Sequence, residues 1–347
     1  MLKRILTITS CMTTIFSTLS CQAKQISLPT ATAEPVNLPT QTSTDEAIPS
    51  PDTLCFTPID LTPVAFTPDS LMLVIRAGSG VQVFNLGTME EEYFVQAQQN
   101  LLAAALSSDG RTLAWSQEDN TIQLIQMTEG KVLNTLAGHT DSVFKLRFSP
   151  TGDRLFSASH DGSVRIWDMT GNELQTIETN GEVLGIGISP DGSKLATIPL
   201  DGPVELWDLI ANKKMLSLGG TGGFDTSDAV FSPDGKYLAA DLATGLFLWR
   251  ISDGELLWDD IRNSLAVTFS PDGQFLAYSN VDDGNKVVLS STDGAQIIRT
   301  LEGMQGPVWE LIFSPDSSLL AATDGMEIRI WRVADAKLLF IGKPACS

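Results

Sequence analysis

Short apolar runs alternate with tight polar turns along most of this chain, and the stretch from 143 to 177 shows the unit. Val143 to Phe148 predicts a strand, Ser149-Pro150-Thr151-Gly152 a tight turn, and Arg154 to Ser159 a second strand. His160-Asp161-Gly162 predicts another turn, Val164 to Met169 a third strand, Thr170-Gly171-Asn172 a turn and Glu173 to Ile177 a fourth strand. Proline presets one backbone dihedral and glycine supplies a positive one, so such turns have a mechanical cause. The first of these turns recurs seven times, as Phe66-Thr67-Pro68-Asp69-Ser70, Leu106-Ser107-Ser108-Asp109-Gly110, Phe148-Ser149-Pro150-Thr151-Gly152, Ile188-Ser189-Pro190-Asp191-Gly192, Phe231-Ser232-Pro233-Asp234-Gly235, Phe269-Ser270-Pro271-Asp272-Gly273 and Phe313-Ser314-Pro315-Asp316-Ser317. Counted at the third residue, the steps are 40, 42, 40, 43, 38 and 44.

The third strands align as well, and several carry apolar residues at both parities: Val164-Arg165-Ile166-Trp167, Val204-Glu205-Leu206-Trp207, Leu246-Phe247-Leu248-Trp249 and Ile328-Arg329-Ile330-Trp331. A strand buried on both faces belongs to a sheet with neighbours on both sides. Strands and tight turns at a period of about 40–45 residues are the signature of propeller blades. Residues 54–347 hold seven repeats of 42 residues on average. The expected fold is all-β: one closed ring of seven blades, each of four antiparallel strands.

Within this pattern Gly138-His139, Asp161 and Trp167-Asp168 resemble the WD-repeat family, and Trp207-Asp208 repeats the terminal dipeptide. The resemblance covers 54–347 by period and turn chemistry, while the full motif occurs once; Gly303-Met304 stands where the seventh repeat would have Gly-His. It implies a hydrogen-bonded chain through His139, Asp161, Trp167 and one of Ser157 or Ser159. It also implies that the residue four before each turn-opening apolar residue lies around the channel mouth. Those positions are Thr62, Leu102, Phe144, Leu184, Ser227, Leu265 and Trp309, five of them large and apolar. A patch of this kind marks an interaction site. The competing expectation is that these side chains tuck between blades, since Phe144 shares strand parity with Leu146 and Phe148. The family further implies a scaffold for a protein or peptide ligand, with no cofactor and no bound metal.

Catalytic chemistry is thinly supplied. The chain has two histidines: His139 is assigned to the hydrogen-bonded chain and His160 to an exposed turn. That leaves little for a Ser-His-Asp triad or a histidine metal site. Asp282-Asp283-Gly284-Asn285 lacks the spaced ligands and closing Glu of a calcium loop. Channel carboxylates leave open a propeller enzyme acting on lactones or glycosides; an envelope assembly factor is a further alternative. The formal charge of −20 disfavours nucleic acid and anionic lipid and favours basic segments on a partner. A monomer is expected.

The N-terminus adds a destination. Met1-Leu2-Lys3-Arg4 followed by the apolar run Ile5 to Leu19 fits an export signal. Thr18-Leu19-Ser20-Cys21 resembles a bacterial lipobox, which makes 1–20 a signal peptide and Cys21 the lipidated residue, tethering the protein to the extracytoplasmic face of a bacterial membrane. Signal cleavage without lipid stays open. Residues 21–53, rich in Thr, Pro, Ser and Ala, cannot bury enough apolar area to fold and read as an extended spacer. With Cys11 lost and Cys21 lipidated, Cys55 and Cys346 remain at the two ends of the ring. Closure brings first and last strands together, and export supplies the oxidising compartment. A Cys55–Cys346 disulfide is expected, against two unrelated thiols.

Overall fold

The computed structural model describes residues 52–344 apart from 57–60, 78, 79, 89, 98–100, 180, 221, 223–227, 261–263 and 295. These residues form seven sheets, each built on four consecutive antiparallel strands in simple up-and-down order, and no helix occurs among them. Blade 3 comprises Val143–Phe148, Arg154–Ser159, Ser163–Asp168 and Glu173–Glu178; its boundaries lie within a residue of those the sequence predicts. The first strand of each blade lies beside the first strands of its neighbours and lines the centre of the ring.

The apolar core is divided among the joints between blades. Seven clusters of buried side chains occur, and each draws on two adjacent blades, including blades 7 and 1 at the seam. This accounts for the double parity of the third strands. Val164 and Ile166 of blade 3 pack toward blade 4, while Trp167 on the opposite face packs toward blade 2. Trp167, Trp249 and Trp331 are among the largest fully buried side chains. Truncating one to Ala would cost about 3–5 kcal/mol. A blade removed from the ring would lose both its cores, so stability is a property of the joints.

The turns are held by their own side chains. In blade 4, Ser189 donates to Asp191 at 2.6 Å, and Asp191 accepts the Ser193 amide at 3.0 Å. These bonds hold the Asp191 carboxyl down at about 2. Five copies end in a glycine at φ between 67° and 72°, but Ser70 and Ser317 adopt φ of 61°. Their hydroxyls explain the exception. Ser317 Oγ accepts the Asp272 amide of blade 6 at 3.0 Å, and Ser70 Oγ accepts the Asp316 amide of blade 7 at 3.3 Å. Each serine trades local backbone strain for a hydrogen bond to the preceding blade.

Closure brings the first and last described strands together, as expected, but as an addition to a finished blade. Every blade is complete from consecutive residues, and the N-terminal strand Asp52–Phe56 is added parallel to the outer strand of blade 7, Lys337–Pro344, as a fifth strand. This first described strand takes in Asp52 and Thr53, two residues of the expected spacer. At the inner edge, Leu61 bridges to Gly325, and Thr323 Oγ1 donates to the Leu61 carbonyl at 2.6 Å. Backbone pairing sets Cys55 opposite Lys343. Cys346, Cys21 and Cys11 lie outside the described residues.

Candidate functional site

The hydrogen-bonded chain in blade 3 is fully formed. The imidazole of His139 meets Asp161 Oδ2 through Nδ1 and Ser157 Oγ through Nε2, both at 2.8 Å, and Trp167 Nε1 donates to the same Ser157 Oγ at 2.8 Å. Ser157 is the serine that takes part; Ser159 instead donates to the Asp141 carbonyl. Burial outweighs Asp161 and lowers the His139 pKa, so the ring is neutral at pH 7. Gly138 lets the strands approach closely beside it: a Cβ there would lie 2.7 Å from Arg165 Nη1 and 3.0 Å from the Trp167 ring. Blade 7 uses the same packing without histidine: a Cβ on Gly303 would lie 2.4 Å from Arg329 Nη1. In blade 2, Trp115 Nε1 donates to Gln123, and in blade 4 Trp207 Nε1 donates to Thr197. These bonds orient the strands they join.

The six described mouth positions are Thr62, Leu102, Phe144, Leu184, Leu265 and Trp309; Ser227 lies outside the described residues. None of the six is buried, and Phe144 is 37% exposed. The parity argument for a buried Phe144 fails because the strand carries a bulge: Val143 pairs with Ser159 and Lys145 with Ala158, which leaves Phe144 between them. A bulge resets the alternation, so Phe144 and Leu146 point to different surroundings. The same irregularity falls at Leu184. His160, expected in an exposed turn, lies in that turn but is partly buried. Its ring stacks on Phe144 with centroids 3.8 Å apart, and its Nδ1 lies 3.5 Å from Glu182. Burial, opposed by Glu182 and Asp141, lowers its pKa.

One residue further along each inner strand lies a layer that sequence reasoning missed. It reads Pro63, Ala103, Lys145, Gly185, Asp228, Ala266 and Glu310: three charged residues among four small ones. Lys145 Nζ lies 3.4 Å from Asp228 Oδ2, and Arg147, two residues on, is paired with the same oxygen. Blades 3 and 5 are not neighbours, so this ion pair passes over blade 4, whose inner strand offers Gly185 and Gly187. Arg147 Nε also donates to the Ile186 carbonyl of blade 4 at 2.9 Å. Asp241, on the second strand of blade 5, accepts the Asp228 amide through Oδ1, while its Oδ2 has no partner among the described residues.

The charges in this layer are mutually compensating. Burial pushes the Asp228 carboxyl up, but Arg147 and Lys145 outweigh it and hold Asp228 below the usual carboxylate range. Burial, reinforced by the charge on Asp228, pushes Asp241 well above that range. Burial also raises Glu310, against the pull of Lys145. Two cations thus face three carboxyls, of which Asp241 and Glu310 hold a proton more tightly than usual and Asp228 less tightly. Lys145 and Arg147 keep side-chain exposures of 25% and 34%, so the belt is reached from the channel. The described residues include no cluster of His, Cys, Asp or Glu arranged to hold a metal. The described geometry supplies a partly apolar collar over a charged belt, a surface suited to binding.

Two segments, 130–168 and 295–332, match the family model described as WD domain, G-beta repeat. Each begins on the outer strand of one blade and ends on the third strand of the next, so each repeat ties two blades together. The chain is 34% identical over 124 residues to an uncharacterized WD repeat-containing protein of Synechocystis, covering 35% of each chain. It is 28% identical over 121 residues to the COMPASS component SWD3 of Saccharomyces cerevisiae, covering 34% of this chain and 38% of that one. A third relative, apoptotic protease-activating factor 1 of Rattus norvegicus, is 24% identical over 81% of this chain and 19% of its own. The first relatives are thus matched over about a third of their length. With the fold and these matches together, the chain is a seven-bladed β-propeller in which the segments 130–168 and 295–332 match the WD40 repeat.

Proposed function

We propose that this propeller is a non-catalytic scaffold that binds a segment of a protein partner across the channel mouth. The carrying observation is that the bulge at Phe144 turns this ring toward solvent and stacks it on His160, across the ring from a half-buried Trp309 in blade 7. Aromatic side chains held in place before binding lose little entropy on contact, which is why they serve as anchors. Asp141 and Glu182 beside the stack, with a chain charge of −20, favour a basic segment. Export and a lipid on Cys21 belong to the same reading: the scaffold is displayed outside the cytoplasmic membrane on a Thr/Pro-rich spacer.

The test uses the full chain carrying a photo-crosslinker at Leu184, recovered from native envelopes. Wild type is expected to yield a specific cross-linked protein, and Phe144→Ala with Trp309→Ala is expected to lose it while melting within about 2 °C of wild type. A double variant that still cross-links the same protein would refute the mouth as the site. One that melts much earlier would show that the two rings are core.

A further inference from the structure

A propeller leaves an open edge on the outer strand of every blade, with backbone donors and acceptors facing solvent. Natural sheets protect such edges with charge, or cover them. Here the outer strand of blade 7 is the longest, Lys337–Pro344, and holds Leu338, Leu339, Phe340 and Ile341 in succession. It is also the edge that the ring covers, with Asp52–Phe56 laid alongside in parallel. The outer strand of blade 1 carries Glu90, Glu91 and Glu92, that of blade 3 Glu173 and Glu178, that of blade 4 Lys213 and Lys214, and that of blade 5 Asp259 and Asp260.

The outer strand of blade 6, Ile297–Leu301, is protected least. Its one charge is Arg299, and Ile297 and Ile298 are 51% and 40% exposed. No side chain of this strand makes a hydrogen bond or ion pair among the described residues, and Arg299 has no carboxylate partner there. The outer strand of blade 2 also exposes two apolar residues, but its Asn134 donates to the Met169 carbonyl of blade 3 and bridges that edge to the next blade.

We propose that the outer edge of blade 6 is a docking site for an extended strand of a protein partner, apolar in character and carrying one carboxylate to meet Arg299. The ring itself shows the chemistry that fits, because its covering strand on the adjacent blade reads Asp52-Thr53-Leu54-Cys55-Phe56, one acid followed by uncharged residues. Strand addition takes its affinity from backbone hydrogen bonds and its selectivity from side chains on alternate positions. A second copy of this chain is the poorer occupant: two chains of charge −20 repel, and pairing two blade 6 edges would bring two Arg299 side chains together. The site is on the rim, and it stands whether or not the channel mouth binds a partner.

The test measures binding of a fluorescein-labelled synthetic peptide of residues 50–57, carrying Cys55→Ser, to the full chain, with hydrogen exchange mapped by mass spectrometry. The expected result is saturable binding with slowed exchange across 297–301. Ile297→Lys with Ile298→Lys should weaken it at least about tenfold without lowering the melting temperature, as charge on an edge blocks strand addition. Phe144→Ala with Trp309→Ala should leave it unchanged. Three results would overturn the proposal: no saturable binding, protection only at 337–344 (displacement of the ring's own strand), or a dimer in sedimentation that Ile298→Lys abolishes.

Discussion

Replacing Asp241 with Asn should stabilise this ring at neutral and alkaline pH. Asp241 is 1% exposed. Its Oδ1 accepts the Asp228 amide at 2.9 Å, a bond the Asn carbonyl oxygen can keep. Burial and the neighbouring Asp228 raise its pKa well above 3.8. In the unfolded chain the group loses its proton near the ordinary value, so between that pH and the raised one the unfolded state binds fewer protons than the folded state. Stability is therefore full below about pH 4 and falls as pH rises, by about 1.4 kcal/mol per unit until the folded group also ionises. Asn carries no such slope. For a ring of this size, 1 kcal/mol corresponds to about 2 °C in melting temperature. Thermal melts of wild type and Asp241→Asn between pH 4 and pH 8 should start close together at the acid end and separate by several degrees at pH 8, the variant higher. Parallel curves, or a variant less stable at pH 8 than at pH 4 relative to wild type, would refute the reasoning and mean that Asp241 is ionised in the fold.

Other expectations follow from the same geometry. His139→Ala removes the contacts to Asp161 and Ser157 and should cost about 1–3 kcal/mol at pH 7; because burial lowers the His139 pKa, the wild-type contribution should shrink as pH falls below about 6.5, which denaturant titrations at pH 5 and pH 7.5 would read. Gly187→Ala puts a Cβ 2.5 Å from the Ala229 carbonyl oxygen of blade 5, a backbone atom that cannot step aside, and should lower the melting temperature by several degrees, where Gly192→Ala has nothing within 4 Å and pays only for its positive φ. Cys346 follows Lys343, the register partner of Cys55, by three residues, about 10 Å of extended chain; thiol counting on exported protein should find both cysteines blocked as a disulfide, and two free thiols would dismiss the bond.

What was legible in the sequence was whatever repeats. Seven turn copies and seven third strands are each weak alone, but their constant spacing leaves one architecture, and double burial of the third strands followed from apolar residues at both parities. Features specific to one blade were harder. The bulge that frees Phe144 has no residue signature, since alternation is the only sequence clue to facing and a bulge is where alternation stops. Lys145 and Asp228 are 83 residues apart and meet only because the ring folds back on its centre. A signal did exist: aligning the repeats three residues before each turn-opening residue sets Lys145, Asp228 and Glu310 against Pro63, Ala103, Gly185 and Ala266. The strand Asp52–Phe56 was half hidden by the spacer composition, in which Pro51 and Thr53 continue the run of Pro and Thr.

The placement of that first strand decides how the ring carries tension. The strand Asp52–Phe56 runs beside the last five residues of the outer strand of blade 7, Phe340 to Pro344, and the chain then continues to the innermost strand of blade 1. A pull on the upstream chain directed along this strand loads its backbone bonds to Phe340–Pro344 together, in shear, instead of peeling them one at a time. The load then divides between the outer edge of the last blade and the inner edge of the first, which are already joined at Leu61 and Thr323. Force entering at Asp52 is thus received at the joint where the two ends of the ring meet, by the last blade before the first.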